Sequence, residues 1–117
     1  MTINTKSTYT PERGHFILLD FMPSAGVEID KRRPALVISA SEFNVTTGLV
    51  LVCPITSTIR ENPFNVTIPN GHKVQGEILS HQVKTLDWES RRAELLERAP
   101  KRILNEVLGR LMAILNN

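Results

Sequence analysis

The sequence has a single cysteine, Cys53, and few aromatic residues. One cysteine cannot form an intrachain disulfide or build a cysteine-ligated zinc site. Aromatic side chains make up only 5% of the chain, which argues against a surface of rings that stack on nucleic-acid bases. Because Cys53 falls within the apolar run of residues 49–55, we expect its thiol to be buried and unreactive.

Long hydrophobic runs and a strong excess of one charge are also missing. No apolar run reaches the roughly 20 residues that a membrane-spanning helix needs. The start of the chain lacks the apolar segment of a secretory signal. We therefore expect a cytoplasmic protein without a membrane partner. The 14 basic and 12 acidic residues give a net charge of +2, which permits a phosphate-bearing partner but does not require one.

Several familiar catalytic motifs are absent as well. The chain has no glycine-rich phosphate loop, no His-Glu-x-x-His pair and no nucleophile elbow. Its histidines, His15, His72 and His81, are scattered, and no group of histidines and carboxylates has the spacing of metal ligands. We therefore expect neither a metal ion nor another cofactor.

The residues that are present predict one small, mainly β domain. A length of 117 residues with 41% hydrophobic residues is typical of a single globular domain. Residues 1–11 are rich in Thr, Ser and Asn and are predicted to be a flexible leader, so the domain is predicted to span residues 12–117. Short apolar or alternating runs predict strands over residues 15–21, 34–39, 49–53 (ended by a proline), 64–68, 76–79 and 81–86.

The end of the chain predicts a helix over about residues 100–115. Its apolar residues recur at gaps of three and four, and Pro100 suits the first helical turn. Residues 91–98 fit either a helix or a charged edge strand, and we favour the strand because it would complete the sheet. Short strands followed by one amphipathic helix indicate a small antiparallel barrel or rolled sheet with a C-terminal helix.

A charged loop before the second strand is the first candidate for a functional site. It ends in Lys31, Arg32 and Arg33, followed by Pro34. The proline biases the backbone of Arg33 toward an extended conformation, so its guanidinium would be held at the end of the strand. Such a planar fork suits a phosphate, whereas the alternative is an ordinary solvated loop.

Two further polar residues stand at strand ends. Thr56 follows an apolar strand, where its hydroxyl either caps a turn or donates a hydrogen bond to the same phosphate. His81 lies between two predicted strands and is either an ordinary surface histidine or a group that exchanges protons near neutral pH.

Seven segments, in order, carry a specific resemblance. They are ERGH (12–15), PSAGVE (23–28), RPALVIS (33–39), FN (43–44), PITS (54–57), QVKTLD (82–87) and NEVLGRL (105–111). Together they resemble the MazF/PemK family of ribonuclease toxins from bacterial type II toxin–antitoxin systems. The resemblance covers almost the whole chain after the predicted leader, and it implies an SH3-like antiparallel barrel with a C-terminal helix.

The resemblance also implies an activity and its partners. Such a protein is expected to cleave single-stranded RNA, mainly messenger RNA, at selected sequences and without a metal ion. The ribose 2′-hydroxyl would attack the adjacent phosphorus, leaving 2′,3′-cyclic phosphate and 5′-hydroxyl ends. The enzyme would act as a homodimer and inhibit translation and growth unless a cognate antitoxin covers the RNA-binding face.

Site residues follow from the same resemblance. Arg33 matches the family's catalytic arginine and Thr56 its catalytic threonine. PemK-type members carry an arginine and an aspartate where this chain has Leu79 and His81, whereas MazF-type members keep an apolar residue at the first position. We therefore predict His81 as the proton acceptor, with Glu28 as the alternative. The resemblance also implies that Glu28, Gln82 and Lys84 contact RNA. With Lys31 and Arg32 of the charged loop and with Ser57, they make up the predicted RNA-binding residues.

One alternative function remains open at this point. The same barrel is shared with gyrase-poisoning toxins, which bind a protein and cleave nothing, and fold alone does not separate the two classes. The alternative is therefore a non-catalytic binding module, either a gyrase poison or an RNA binder.

Overall fold

A computed structural model describes residues 9–21 and 32–116 of the chain. Within them, seven strands and two helices follow one another. The elements are β1 (His15–Asp20), β2 (Arg32–Val37), α1 (Ser41–Thr47), β3 (Leu49–Thr56), β4 (Asn65–Thr67), β5 (Glu77–Leu79), β6 (Lys84–Asp87), β7 (Glu94–Arg98) and α2 (Lys101–Leu115).

All strand pairings are antiparallel, and the long central strand β3 organises them. The order across the sheet is β4-β5-β3-β2-β1-β7, and β6 also pairs with β3. Along one edge, β3 pairs with β6 as far as Val52 and with β5 from Ile55 onward. Pro54 falls in the gap between these partners, where a residue without an N–H is tolerated. The prediction that Pro54 ends the strand was therefore wrong.

The sheet buries apolar side chains on both faces, which explains the nearly continuous apolar runs of β1, β2 and β3. On one face, Phe16, Leu36 and Ile78 pack with Ile103 and Val107 of α2. On the other face a second cluster contains Ile17, Leu19, Ala35, Val37, Val50, Val52 and Leu86. The sheet is therefore the middle layer of the core, with α2 covering one side.

The predicted buried thiol is confirmed. Cys53 is 0% exposed and lies in the cluster beneath α2. Its Sγ is 4.0 Å from the carbonyl oxygen of Ser80. Desolvation raises the pKa of the thiol to about 12, so it remains protonated at neutral pH.

The C-terminal helix and the last strand agree with the sequence, with differences at their ends. The helix was predicted over about residues 100–115 and spans Lys101–Leu115, with Pro100 just before its first turn rather than in it. Ile114 and Leu115 in its last turn are exposed. The strand interpretation of residues 91–98 holds from Glu94 onward. No helix within residues 9–21 and 32–116 has the length and apolar character needed to span a membrane.

The short helix α1 was not predicted. Its sequence, SEFNVTT, is weak in helix propensity, so its position depends on tertiary contacts. Asn44 is fully buried, and its Nδ2 donates to the Pro11 carbonyl at 2.7 Å while its Oδ1 accepts from Ser39 Oγ at 2.6 Å. Tyr9 of the predicted leader is also in contact with the domain, at 2.7 Å from His15 Nδ1.

Candidate active site at the polar end of the sheet

Two predicted catalytic residues stand at the same end of neighbouring strands. The β2–β3 pairing reaches Ala35 and Pro54. Extending that register by two residues places Arg33 opposite Thr56, and directly opposed residues of antiparallel strands lie side by side. Pro34 keeps Arg33 within β2, in the extended backbone that the sequence predicted.

A polar row continues across the sheet from this pair. Glu77 of β5 is directly opposite Thr56, and Thr67 of β4 is opposite Glu77. On the other side of Arg33 the row ends at the buried Leu19 of β1. Opposed side chains lie on the same face of the sheet. Along this row, that face is apolar at Leu19 of β1 and polar from Arg33 to Thr67 of β4.

The two arginines at the start of β2 have different surroundings. Arg33 is exposed, and within the described residues its guanidinium has no hydrogen bond or ion pair. The Arg32 side chain is only 18% exposed and bonds Asp20 Oδ1 at 3.1 Å and Glu94 Oε1 at 2.8 Å. A phosphate at Arg32 would compete with these carboxylates, so Arg33 is the more available cation. The predicted RNA contact of Arg32 stays a prediction.

Arg92 shares the acidic partner of Arg32. Its Nε and Nη2 donate to the two carboxylate oxygens of Asp20 at 2.9 and 3.0 Å. These bonds from Arg92, together with those from Arg32, lower the pKa of Asp20. The cluster links the end of β1, the start of β2 and the start of β7, and thereby holds the strand that carries Arg33.

A polar pocket of about 320 Å³ lies beside Thr56. It is lined by Thr56, Thr58, Arg60, Asn62, Asn65, Leu79, His81 and Gln82. Three residues that the sequence analysis selected, Thr56, His81 and Gln82, therefore meet in one cavity. The other polar lining residues were not selected as site residues: Thr58, Arg60 and Asn62 lie in the polar stretch between two predicted strands, and Asn65 lies within the predicted strand 64–68.

The hydrogen bonds of the pocket leave groups available for a ligand. Thr56 Oγ1 accepts from the Thr58 backbone N–H at 3.1 Å, so the hydroxyl proton is free to be donated elsewhere. His81 is exposed at the turn after β5, and its Nε2 is 3.5 Å from Gln82 Nε2. The Phe64 ring lies beside the imidazole, with 6.1 Å between the ring centroids.

The other predicted RNA-binding residues are more dispersed. Ser57 directly follows Thr56 and is exposed, but it does not line the pocket. Lys84 is exposed on β6, opposite Val52. Glu28 and Lys31 lie outside the described residues. Among the residues that are described, no group of three or more His, Cys, Asp or Glu side chains is arranged to hold a metal ion.

Comparison with known proteins identifies the family. Residues 12–115 match the family described as "PemK-like, MazF-like toxin of type II toxin-antitoxin system". The chain belongs to this family. Among curated relatives, it is 39% identical to the endoribonuclease PemK of Escherichia coli, covering 89% of this chain and 81% of PemK. It is 38% identical to the endoribonuclease toxin MazF of E. coli K12, covering 74% of this chain and 78% of MazF.

Solved structures of the family have the same fold. The crystal structure of MazF from Deinococcus radiodurans superposes with a TM-score of 0.83 at 46% identity, covering 93% of this chain and 99% of that one. A MazE–MazF structure from the same organism gives 0.86 at 47% identity, covering 92% and 96%. The predicted toxin family, the SH3-like barrel with a C-terminal helix and the endoribonuclease class are confirmed.

In this toxin, Gly76 packs directly against the backbone of Thr56. Its φ is +121°, and an added Cβ would lie 2.2 Å from the Thr56 carbonyl oxygen. Gly76→Ala should therefore displace Thr56 and slow RNA cleavage by about 100-fold, the effect typical of a 1 Å misplacement. Cleavage of a labelled RNA, together with thermal melting, measures both consequences.

Gly71→Ala is the matched control for this variant. Gly71 also has a positive φ, +99°, but nothing lies within 4 Å of its added Cβ. Both variants carry the backbone strain of a left-handed residue, about 1–2 kcal/mol, but only Gly76→Ala moves Thr56. Equal activity losses in the two variants would contradict a specific role for the Gly76 contact.

Proposed function

We propose that this toxin cleaves single-stranded RNA, mainly messenger RNA, at selected short sequences and without a metal ion. Cleavage would inhibit translation and growth until an antitoxin binds the toxin. The proposal rests on the register of β2 and β3, which when extended brings Arg33 opposite Thr56, and on the polar pocket that Thr56 lines. An exposed guanidinium and a free hydroxyl proton are the groups that a phosphate in transfer requires.

The reaction uses a nucleophile that belongs to the substrate. The ribose 2′-oxygen forms a bond to the adjacent phosphorus, and the bond from phosphorus to the 5′-oxygen breaks. The 2′-hydroxyl proton passes to a basic group, and the leaving 5′-oxygen takes up one proton from water, so the number of protons is unchanged. The products are a 2′,3′-cyclic phosphate and a 5′-hydroxyl, so no net oxidation occurs and no cofactor is consumed.

Each site residue has a distinct task in this scheme. Arg33 stabilises the negative charge that develops on the phosphorane oxygens, and Thr56 donates its hydroxyl proton to one of them. His81 accepts the proton of the 2′-hydroxyl, because imidazole exchanges protons near neutral pH and this one lines the same pocket as Thr56. Glu28 is the alternative acceptor.

The partners follow from the family and from the exposed surface. The D. radiodurans relative was crystallised with MazE, and we propose that a cognate antitoxin binds this toxin over its RNA-binding face. We also propose a homodimer. Met112, Ile114 and Leu115 at the end of α2 are exposed apolar residues in the single chain, and a subunit or antitoxin contact would bury them.

Incubation of the purified toxin with an end-labelled single-stranded RNA in excess EDTA tests the proposed function. We expect full activity in the chelator, and products that carry 2′,3′-cyclic phosphate and 5′-hydroxyl ends. The same sequence held in a paired stem should be cut more slowly, because in-line attack needs a nucleotide that is free to rotate. Activity lost in EDTA and restored by magnesium would reject the metal-free route. Binding without products would favour the non-catalytic alternative.

A further inference from the structure

We propose that Asn65, held in one orientation by the buried Glu77, recognises an amino group on one base of the RNA. Asn65 begins β4 and lines the same pocket as Thr56, so the recognised base lies next to the cleaved phosphate. This inference rests on the proposed function and adds a residue that determines which sequences are cut.

Glu77 has little contact with solvent and bonds two side chains of β4. It is 7% exposed, and its Oε1 accepts from Asn65 Nδ2 at 2.9 Å while its Oε2 accepts from Thr67 Oγ1 at 3.3 Å. No ion pair to Glu77 occurs within residues 9–21 and 32–116. Both Glu77 oxygens accept hydrogen bonds from β4, so Oε1 directs the NH₂ group of Asn65 toward itself.

A second acceptor fixes the same orientation. The backbone carbonyl of Arg60 lies 3.4 Å from Asn65 Nδ2. Turning the amide over would place its oxygen against the carboxylate and this carbonyl, two acceptors that cannot donate to it. Both donors of the amide are therefore used, and the acceptor Oδ1 is the group that remains.

Asn65 Oδ1 is buried and unpaired within the described part of the chain, although its residue lines the pocket. A buried acceptor without a donor is unfavourable, and a ligand that brings a donor removes that penalty. Arg60 and Asn62 line the same pocket and are exposed. Asn62 is tied to the Phe64 and Asn65 N–H groups at 2.8 and 3.0 Å, whereas the Arg60 carbonyl is held to the amide only at 3.4 Å, so the Arg60 side is the part that yields to a base.

The free acceptor defines the chemistry of the recognised base. Adenine, cytosine and guanine each carry an exocyclic amino group that projects from the ring and reaches a recessed oxygen. Uracil carries its single N–H between two carbonyl oxygens. These oxygens are hydrogen-bond acceptors like Asn65 Oδ1, so they would repel it. Unstacked single-stranded bases expose these edges to a protein. We therefore expect uracil to be rejected at one position of the cleaved sequence.

Sequencing the 5′ ends of fragments from a randomised RNA pool tests this inference. The wild-type toxin should disfavour uracil by about tenfold at one position next to the cut. Asn65→Ser removes the amide oxygen and leaves a shorter hydroxyl, which can donate as well as accept. Glu77→Gln keeps the shape but supplies an amide that pairs with either orientation of Asn65. In both variants the discrimination at that position, measured among the fragments that are still produced, should fall below about twofold.

A matched control and a chemical probe complete the test. Asn105→Ser changes an exposed asparagine of α2 away from the pocket lining and should leave the cleaved sequence unchanged. An RNA whose preferred base lacks only its exocyclic amino group should be cut about tenfold more slowly by the wild type, and no more slowly than normal RNA by Asn65→Ser.

The outcomes separate this inference from the proposed function. A wild-type toxin that leaves all RNA uncut rejects the proposed function, and the inference falls with it. A wild-type toxin that cuts RNA, with the same sequence preference in Asn65→Ser and Glu77→Gln, rejects the inference alone. An amino-deleted RNA that the wild type cuts at the normal rate rejects it as well.

Discussion

Arg33→Ala should slow RNA cleavage by about two to three orders of magnitude and leave the melting temperature nearly unchanged. A donor aimed at an oxygen that becomes charged in the transition state contributes about 3–4 kcal/mol, which corresponds to this loss. The fold should tolerate the change, because the exposed Arg33 guanidinium makes no hydrogen bond or ion pair within the described part of the chain. Single-turnover cleavage of a labelled RNA measures the rate, and thermal melting measures the stability.

A second substitution at Arg33, with a control elsewhere, tests whether the charge or the planar shape of its side chain matters. Arg33→Lys keeps the charge but loses the planar fork, so we expect a rate between those of the wild type and Arg33→Ala. Arg102→Ala is the matched control, since Arg102 is exposed on α2 and, among the described residues, bonds only Glu106 on the helix surface. Such a surface pair contributes little to stability, and its loss should not change cleavage. Normal cleavage by Arg33→Ala would reject the catalytic role.

An RNA with a single 2′-deoxynucleotide on the 5′ side of the cut should not be cleaved. The substitution removes the nucleophile, and no other step in the proposed reaction supplies one. Binding should be largely kept, because the phosphates and bases are unchanged. Incubation of this RNA with the toxin, followed by gel separation of the products, gives the result directly.

The position of the deoxynucleotide provides the control for this experiment. Placing it on the 3′ side of the cut leaves the attacking hydroxyl in place, so cleavage should continue. Competition with a normal RNA shows that the uncut RNA still occupies the site. Cleavage of the 5′-side deoxy substrate at the normal rate would mean that water or a protein side chain attacks the phosphorus. Thr56 would then be the first side chain to examine as a nucleophile.

Local patterns were sufficient to predict most of the sheet and the last helix. The apolar runs of β1 and β3 and the three- and four-residue gaps of α2 each depend on neighbouring residues alone. Pro34 likewise predicted the extended backbone of Arg33 from one adjacent residue. The placement of Arg33 opposite Thr56 needed more, because it depends on the register between two strands.

The features that were missed depend on contacts between distant parts of the chain. The short helix α1 is held by the bond from Asn44 to Pro11, and these residues are 33 positions apart. The surroundings of Arg32 depend on Glu94, which is 62 positions away. Asn65 lies in the pocket because β4 pairs with β5, and the same pairing brings Glu77 beside Asn65. Composition and periodicity carry no information on such pairings.

The single thiol of this toxin is a natural reporter of unfolding. Cys53 is buried between the sheet and α2, with a pKa raised to about 12, so alkylating and fluorescent reagents react with it only when that layer opens. The labelling rate therefore measures the free energy of opening without any engineered probe. A partner that binds only the closed state lowers the labelling rate in proportion to the fraction of toxin that it occupies. The labelling rate therefore gives the affinity for antitoxin or RNA even in variants that no longer cleave.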